Sequence, residues 1–186
     1  KFNIKKSKNN FTIVIADTIK KFYTIPYIYE DSFGYINNLK EILDNLQEFD
    51  NLKKIIKFRP DESINSELIY ELIKKYNNTH ISIKESFLEV IKNSNLLISH
   101  SSTTIEEALN LNIPVGLYTG KNEYQHICMY KNNNSEFIYL LNKDNIQEKI
   151  KKILIKSNIS KSEYNYKDEW ITNNDNLITK INEYLK

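Results

Sequence analysis

The strongest constraint on this chain is alternation. Six short apolar runs read as strands: FTIVIA (11–16), KKIIKF (53–58), HISI (80–83), LLIS (96–99), PVGLY (114–118) and EFIYLL (136–141). Between them lie segments with helical spacing. Residues 32–49 carry Ile36, Leu39, Ile42, Leu43 and Leu46 at that spacing, with Asp31 or Ser32 as a cap. Further helices are predicted over 64–76, with Ser63 as N-cap, and over 86–94, 104–111, 145–156 and 176–185. FTIVIA is β-branched and apolar throughout, as a strand buried on both faces must be. Strand and helix in turn call for a parallel sheet with helices on both faces and right-handed crossovers. The expected class is therefore α/β, with a Rossmann-like sheet.

A chain of 186 residues suits one domain. Its 40% hydrophobic and 27% charged residues allow a real core. We expect a linker over 1–10, the domain over 11–156, and a tail over 157–186 that holds Trp170 and a return helix. The KNNNS stretch (131–135) reads as a loop. The first residue is Lys1 and the only methionine is Met129, which suggests a piece of a longer protein.

Composition excludes several functions. The net charge of +2 is spread among balanced Lys, Asp and Glu, so no nucleic-acid footprint is present. The single Cys128 rules out a disulfide framework and a cysteine metal cluster. His80, His100 and His126 lack metal-ligand spacing. No apolar run approaches the 18 or so residues of a transmembrane helix. Neither a metal nor a separate cofactor is expected.

One stretch stands out: LLISHSSTTIEEALNLNIPVGLY, residues 96–118. Four hydroxyl residues, Ser101, Ser102, Thr103 and Thr104, sit between a strand and a helix. In an open α/β sheet, ligands gather at the carboxyl ends of the strands. Backbone N–H groups at a helix start attract anions, and small hydroxyl side chains let a diphosphate approach them. One hydroxyl is enough for a helix cap; four are more than a cap needs. Glu106 and Glu107 follow. First-turn acids complement the helix dipole, which suits Glu106. A carboxylate can also accept both hydroxyls of a ribose. His100, beside the turn, is a candidate phosphate contact or a locally bonded histidine.

The run S-S-T-T-I-E-E-A-L-N-L-N-I-P-V resembles the C-terminal nucleotide-sugar-binding domain of GT-B glycosyltransferases, and of the related UDP-N-acetylglucosamine 2-epimerases. Glu107-Ala108 and Pro114-Val115 match the family pattern at its spacing. The resemblance implies that Glu107 holds the ribose and that Ser101, Ser102 and Thr103 hold phosphates. A glycine common in the family is replaced by Asn112, a residue that tolerates a left-handed backbone. Upstream, IIKFRP (55–60) resembles the Lys-x-His-Pro signature of capsule, teichoic-acid and bacterial sialyl-transferring members. Lys57 and Pro60 match, and Arg59 stands in place of the histidine. Arginine binds phosphate more firmly but donates no proton at neutral pH. It is the sole arginine of the chain. Glu123 and Gln125, after the Pro-Val strand, match loosely an acidic-Gln pair that touches the donor sugar. YEDSFGY (29–35) is similar to an acidic-acidic-glycine motif of bacterial sialyltransferases, but lies too close to IIKFRP for that role to transfer.

The resemblance implies a donor-binding half. Its ligand would be a UDP-, CMP- or CDP-linked sugar. Its acceptor, and the catalytic base, would come from an N-terminal domain or partner subunit. It would work in the cytoplasm, with peripheral contact at the inner membrane face. An epimerase-like domain is the alternative on a similar fold; epimerases usually carry glycines where this chain has Ser102 and Thr103. A non-catalytic nucleotide-binding module is a third reading.

Overall fold

The computed structural model describes residues 11–16, 32–57, 66–100, 102–119 and 137–159. Six strands run through them: β1 (Phe11–Ala16), β2 (Leu52–Lys57), β3 (Thr79–Ser82), β4 (Leu96–Ser99), β5 (Val115–Tyr118) and β6 (Ile138–Leu141). Five helices connect or follow them: α1 (Ser32–Leu46), α2 (Ser66–Ile73), α3 (Phe87–Ile91), α4 (Thr104–Asn110) and α5 (Ile146–Ile159). The strands form one sheet in the order β3-β2-β1-β4-β5-β6, and every neighbouring pair is parallel. All six predicted strands are present, within two residues of their expected ends.

Two apolar layers sandwich the sheet. Ile13 and Ile15 of β1 point to a core shared with Leu39 and Leu43 of α1, Ile69 of α2, and Ile146 and Ile150 of α5. Val14 and Ala16, the alternate residues, point to a second core with Val90 and Ile91 of α3 and Ile105, Ala108 and Leu109 of α4. The continuous apolar character of FTIVIA follows directly: both of its faces are covered.

Helix ends depart from the periodic pattern where an aromatic residue turns back into the core. α1 stops at Leu46, three residues short of the prediction. Hydrogen bonds from Gln47 N–H to the Asp44 carbonyl and from Phe49 N–H to the Leu46 carbonyl then tighten the chain, and Phe49 is buried. α2 is shorter than predicted, and Tyr76 turns back after it in the same way, donating its hydroxyl to Asp44 Oδ1 at 2.6 Å. α3 is only five residues long and opens on a reciprocal cap. Glu89 N–H donates to Ser86 Oγ, and Ser86 N–H donates to the Glu89 carboxylate. α5 runs to Ile159, three residues past the predicted helix end at 156. Ser63, Trp170 and the predicted helix over 176–185 lie outside the described residues, as do the linker, KNNNS and most of the tail.

The expectation for Asn112 holds: its φ is 57°. It follows α4 in a left-handed conformation. Asn112 N–H bonds to the Leu109 carbonyl, and Ile113 N–H bonds back to the Ala108 carbonyl at 3.0 Å. This double closure satisfies carbonyls that the helix end would leave open. It turns the chain directly into Pro114 and β5.

One buried residue has no counterpart in the sequence reading. Lys54 of β2 is 2% exposed and lies between Leu52 and Ile56 on the same face of the strand, the α1 side of the sheet. Its ammonium has no carboxylate partner among the described residues, and burial pushes its pKa down.

Candidate ligand-binding site

The strand order sets the position of the site. From β1 the chain builds outward through β2 to β3, then crosses back and builds the other way from β4. The connections after β1 and after β4 therefore leave the sheet in opposite directions. Between them, outside the carboxyl ends of the two strands, such sheets hold a crevice, and ligands bind in it. β1 and β4 are paired directly, Ile15 opposite Ile98. The turn after Ser99 is thus one wall of the crevice.

Ser102, Thr103 and Thr104 of the hydroxyl run stand at that wall. Ser102 Oγ accepts the Thr104 N–H at 3.3 Å, and the Ser102 carbonyl accepts the Ile105 N–H at 3.0 Å. One hydroxyl of the run therefore caps α4, as a plain cap would. Thr103 is exposed and its side chain caps nothing. The N–H groups of Ser102 and Thr103 donate no hydrogen bond among the described residues. Among the described residues Thr104 Oγ1 is buried without a partner, and so is Ser99 Oγ at the end of β4. Orphaned buried hydroxyls each cost about 1–3 kcal/mol. Two of them flank one turn.

Glu106 and Glu107 are half-buried on the first turn of α4. α4 has seven residues, so its dipole is modest, and the N–H groups and hydroxyls must supply most of any anion binding.

His100 is buried, and its ring lies against the end of the neighbouring strand. Nδ1 is 2.7 Å from the Tyr118 carbonyl. Lys57 ends β2 on the same rim, opposite Ala16 of β1. It is two strand spacings, about 10 Å, from β4. Its Nζ donates to the carbonyls of Ser82 (3.4 Å), the last residue of β3, and of Ile83 (3.2 Å) just after it. Burial lowers its pKa, and Glu85 partly offsets that. Lys57 shares the rim with the turn, while its charge sits at the β3 side.

A recess of about 340 Å³, open mouth included, lies beside the turn. Ile15, Tyr35, Leu39, Ile98, His100 and Tyr118 are among its walls. Tyr118 and Ser99 were missed in the sequence reading. The signal was present: each is a polar group ending an apolar strand run. Burial pushes the Tyr118 phenol well up, followed by its proximity to Glu41 and last by the charge of Asp144. The hydroxyl reaches no described residue at strict hydrogen-bonding geometry, so Glu41 acts on it mainly through charge.

Asp31, Arg59, Pro60, Ser101, Glu123, Gln125 and His126 lie outside the described residues. His80 is exposed on β3. Among the described residues no group of three or more His, Cys, Asp or Glu side chains could hold a metal, and no helix is long and apolar enough to cross a membrane.

No protein-family model matches the chain, and no curated protein sequence matches it. Solved structures do match in fold. MnaA of S. aureus, in a co-structure with UDP, superposes with a TM-score of 0.53 at 14% identity, over 83% of this chain and 40% of that one. The UDP-GlcNAc 2-epimerase from Neisseria meningitidis, bound to UDP-GlcNAc, gives 0.51 at 17% identity, over 80% and 37%. The E. coli heptosyltransferase WaaC with ADP gives 0.52 at 10% identity, over 79% and 45%. The chain thus spans less than half the length of each of these proteins, and what it shares with them is the Rossmann-like parallel α/β fold of the GT-B epimerases and glycosyltransferases.

Proposed function

We propose that this chain is the donor-binding part of a glycosyltransferase, which holds a nucleotide-activated sugar for surface polysaccharide or glycoconjugate synthesis at the cytoplasmic side of the membrane. The diphosphate lies against the hydroxyl run, and Arg59 supplies a second contact to it. Glu107 accepts the ribose hydroxyls. One observation carries the reading: the strand order puts the end of β4 at the switch point beside β1, and there the hydroxyls of Ser99 and Thr104 are buried without a partner among the described residues. The shared fold supports it, since the proteins named above were solved with UDP, UDP-GlcNAc or ADP. Acceptor and catalytic base are supplied by a further domain or a partner subunit, in keeping with the part of those proteins that this chain spans.

An epimerase-like domain is the second reading, favoured by its presence among the fold neighbours. The absence of glycine from 101–104 supports the transferase over it.

Titration with UDP, CMP, CDP and GDP tests binding and donor class together. Glu107→Ala should weaken nucleoside diphosphate binding by about 1–3 kcal/mol, the range for a lost charged hydrogen-bond partner. It should leave inorganic diphosphate binding unchanged. Arg59→Ala should lower affinity and flatten its salt dependence. Equal losses for nucleotide and inorganic diphosphate in Glu107→Ala would remove the ribose role.

A further inference from the structure

We infer that the recess beside α1 receives the glycosyl group of the donor, and that it admits an uncharged sugar and rejects one that carries a carboxylate. The inference rests on the nucleotide reading above and narrows it to a substrate class.

Position comes first. α4 covers one face of the sheet, where Ile105, Ala108 and Leu109 pack with Val14 and Leu97. The recess opens on the other face. Ile15, Tyr35, Leu39, Ile98 and Tyr118 line it, and all five belong to the core under α1. The end of β4 separates the two faces. A nucleoside held from the α4 side by Glu107 puts its diphosphate at that edge, beside the N–H groups of Ser102 and Thr103. Whatever the far phosphate carries is then delivered to the α1 face. At about 340 Å³, open mouth included, the recess is at the small end of ligand pockets, which run from about 300 to 1,000 Å³, so it suits one ring and not a whole donor.

Its walls suit a sugar ring. Ile15, Leu39, Ile42 and Ile98 give an apolar floor for C–H faces, and Asn38 and His100 bring polar groups to it. The His100 ring is held in place, 6% exposed and with Nδ1 2.7 Å from the Tyr118 carbonyl. The Tyr118 hydroxyl reaches no described residue at strict hydrogen-bonding geometry, which leaves it for a ligand hydroxyl.

Charge decides which sugar. No lysine or arginine is among the walls. Glu41 lies one turn on from Asn38 along α1, and Asp144 follows closely on Leu141, the residue opposite Tyr118 in the ladder between β5 and β6. Both acids push the Tyr118 phenol up, so their field reaches the recess. Lys40 is paired with Asp44, and Lys57 Nζ donates to the carbonyls of Ser82 and Ile83 at the β3 side. A carboxylate entering the recess would shed water beside two acids and meet no cation among the described residues lining it.

Calorimetric titration measures what each sugar adds to its own nucleotide. UDP-glucose with UDP-glucuronate, and GDP-mannose with GDP-mannuronate, are pairs that differ only at C6. With the nucleotide that the wild type prefers, the neutral sugar should bind tighter than the bare nucleotide and at least about 10-fold tighter than its acidic counterpart. CMP-sialate, whose sugar carries a carboxylate, should bind no tighter than CMP. Asn38→Phe puts a bulky ring at the recess. It should abolish the gain from the neutral sugar and leave the bare nucleotide within about 2-fold of wild type, which also shows that the variant is folded. Glu41→Lys, a change at a half-buried helix position, should bring the acidic sugar to within about 3-fold of the neutral one. An acidic sugar that binds as well as the neutral one, a CMP-sialate tighter than CMP, a neutral-sugar gain that survives Asn38→Phe, or unchanged discrimination in Glu41→Lys would overturn the inference while the nucleotide reading stands. If none of UDP, CMP, CDP and GDP binds the wild type, the nucleotide reading falls and takes this inference with it.

Discussion

Gly116, in the middle of β5, offers a sharp test of the packing. A methyl group built on its Cα would sit 2.4 Å from Leu141 Cδ1, 3.2 Å from Leu141 Cγ and 3.5 Å from Ile98 Cγ1. Carbon atoms pack at about 3.5–4.0 Å, so the first overlap exceeds an ångström. Leu141 is 1% exposed within the core shared by α1 and α5, so a swing away from the new methyl presses it on other core side chains. Moving it off its rotamer costs about 0.5–1.5 kcal/mol, and the neighbours it displaces bring overpacking to about 2–3 kcal/mol. Alanine returns about 0.4–1 kcal/mol by stiffening the unfolded chain. Gly116→Ala should therefore lose about 1–2.6 kcal/mol net. Urea unfolding would read this as a lower midpoint at unchanged slope. The cause is checked by a cycle with Leu141→Ala, which should cost at least about 1 kcal/mol less in the Gly116→Ala background than in the wild type. A Gly116→Ala protein as stable as the wild type, or strict additivity in the cycle, would refute the close contact between β5 and β6.

Three further outcomes are expected. Lys54→Met should stabilise the protein by about 1 kcal/mol at neutral pH, because it removes a buried ammonium that has no carboxylate partner among the described residues and keeps the volume. The folded pKa of Lys54 is lowered from 10.5, so the penalty is complete below that folded value. The advantage of methionine should fade as pH rises through the folded pKa and past 10.5, which unfolding curves at pH 7 and above 10 would check. Tyr76→Phe should cost about 1–2 kcal/mol at pH 7 by removing the hydroxyl from Asp44. Burial opposes ionisation of Asp44, but hydrogen bonds from Lys40 and Tyr76 and the charge of Lys40 hold its pKa below 3.8. The stability they lend is present above the unfolded value and lost as pH falls through the folded one, so the gap between Tyr76→Phe and wild type should narrow in strong acid. Asn112→Ala should lose about 1 kcal/mol in the same assay, and Asn112→Gly should remain within about 0.5 kcal/mol of wild type, because only the first forces a methyl into left-handed backbone.

Fold class was legible because both periodicities are clean. FTIVIA and LLIS are flanked by segments whose apolar residues recur at helical spacing, and nothing in tertiary packing contradicts them. Helix ends were less legible. Phe49 and Tyr76 extend the apolar pattern of α1 and α2 in sequence, but reach the core through turns, which periodicity does not distinguish from another helical turn. The Ser86–Glu89 capping box was readable and was overlooked. Strand order was not readable at all. It depends on which strand docks beside β1, and it is this order that turns a hydroxyl-rich stretch into the wall of a crevice. Ser99, His100 and Tyr118 acquire their roles only from cross-strand neighbours. The sequence named His100 for its place beside the turn, but its bond to a carbonyl 18 residues away belongs to the register.

The pairing of β1 with β4 has a consequence for how the molecule comes into being. Thr12 and Asn95 are 83 residues apart, yet they bond in both directions at the foot of this junction, Thr12 N–H to Asn95 Oδ1 and Asn95 N–H to the Thr12 carbonyl. β1, α1, β2, α2 and β3 follow one another and can assemble from nearby contacts. The centre of the sheet cannot close until β4 has been synthesised and has found β1, across the loop of greatest entropy cost in this half of the chain. The crevice does not exist before that event. Until then one side of β1, with its apolar faces and unpaired backbone, is an open edge able to recruit a strand from another chain. The feature that creates the candidate site is thus also the step at which a growing chain is most exposed to misassembly, and gain of ligand binding would serve as a clock for its completion.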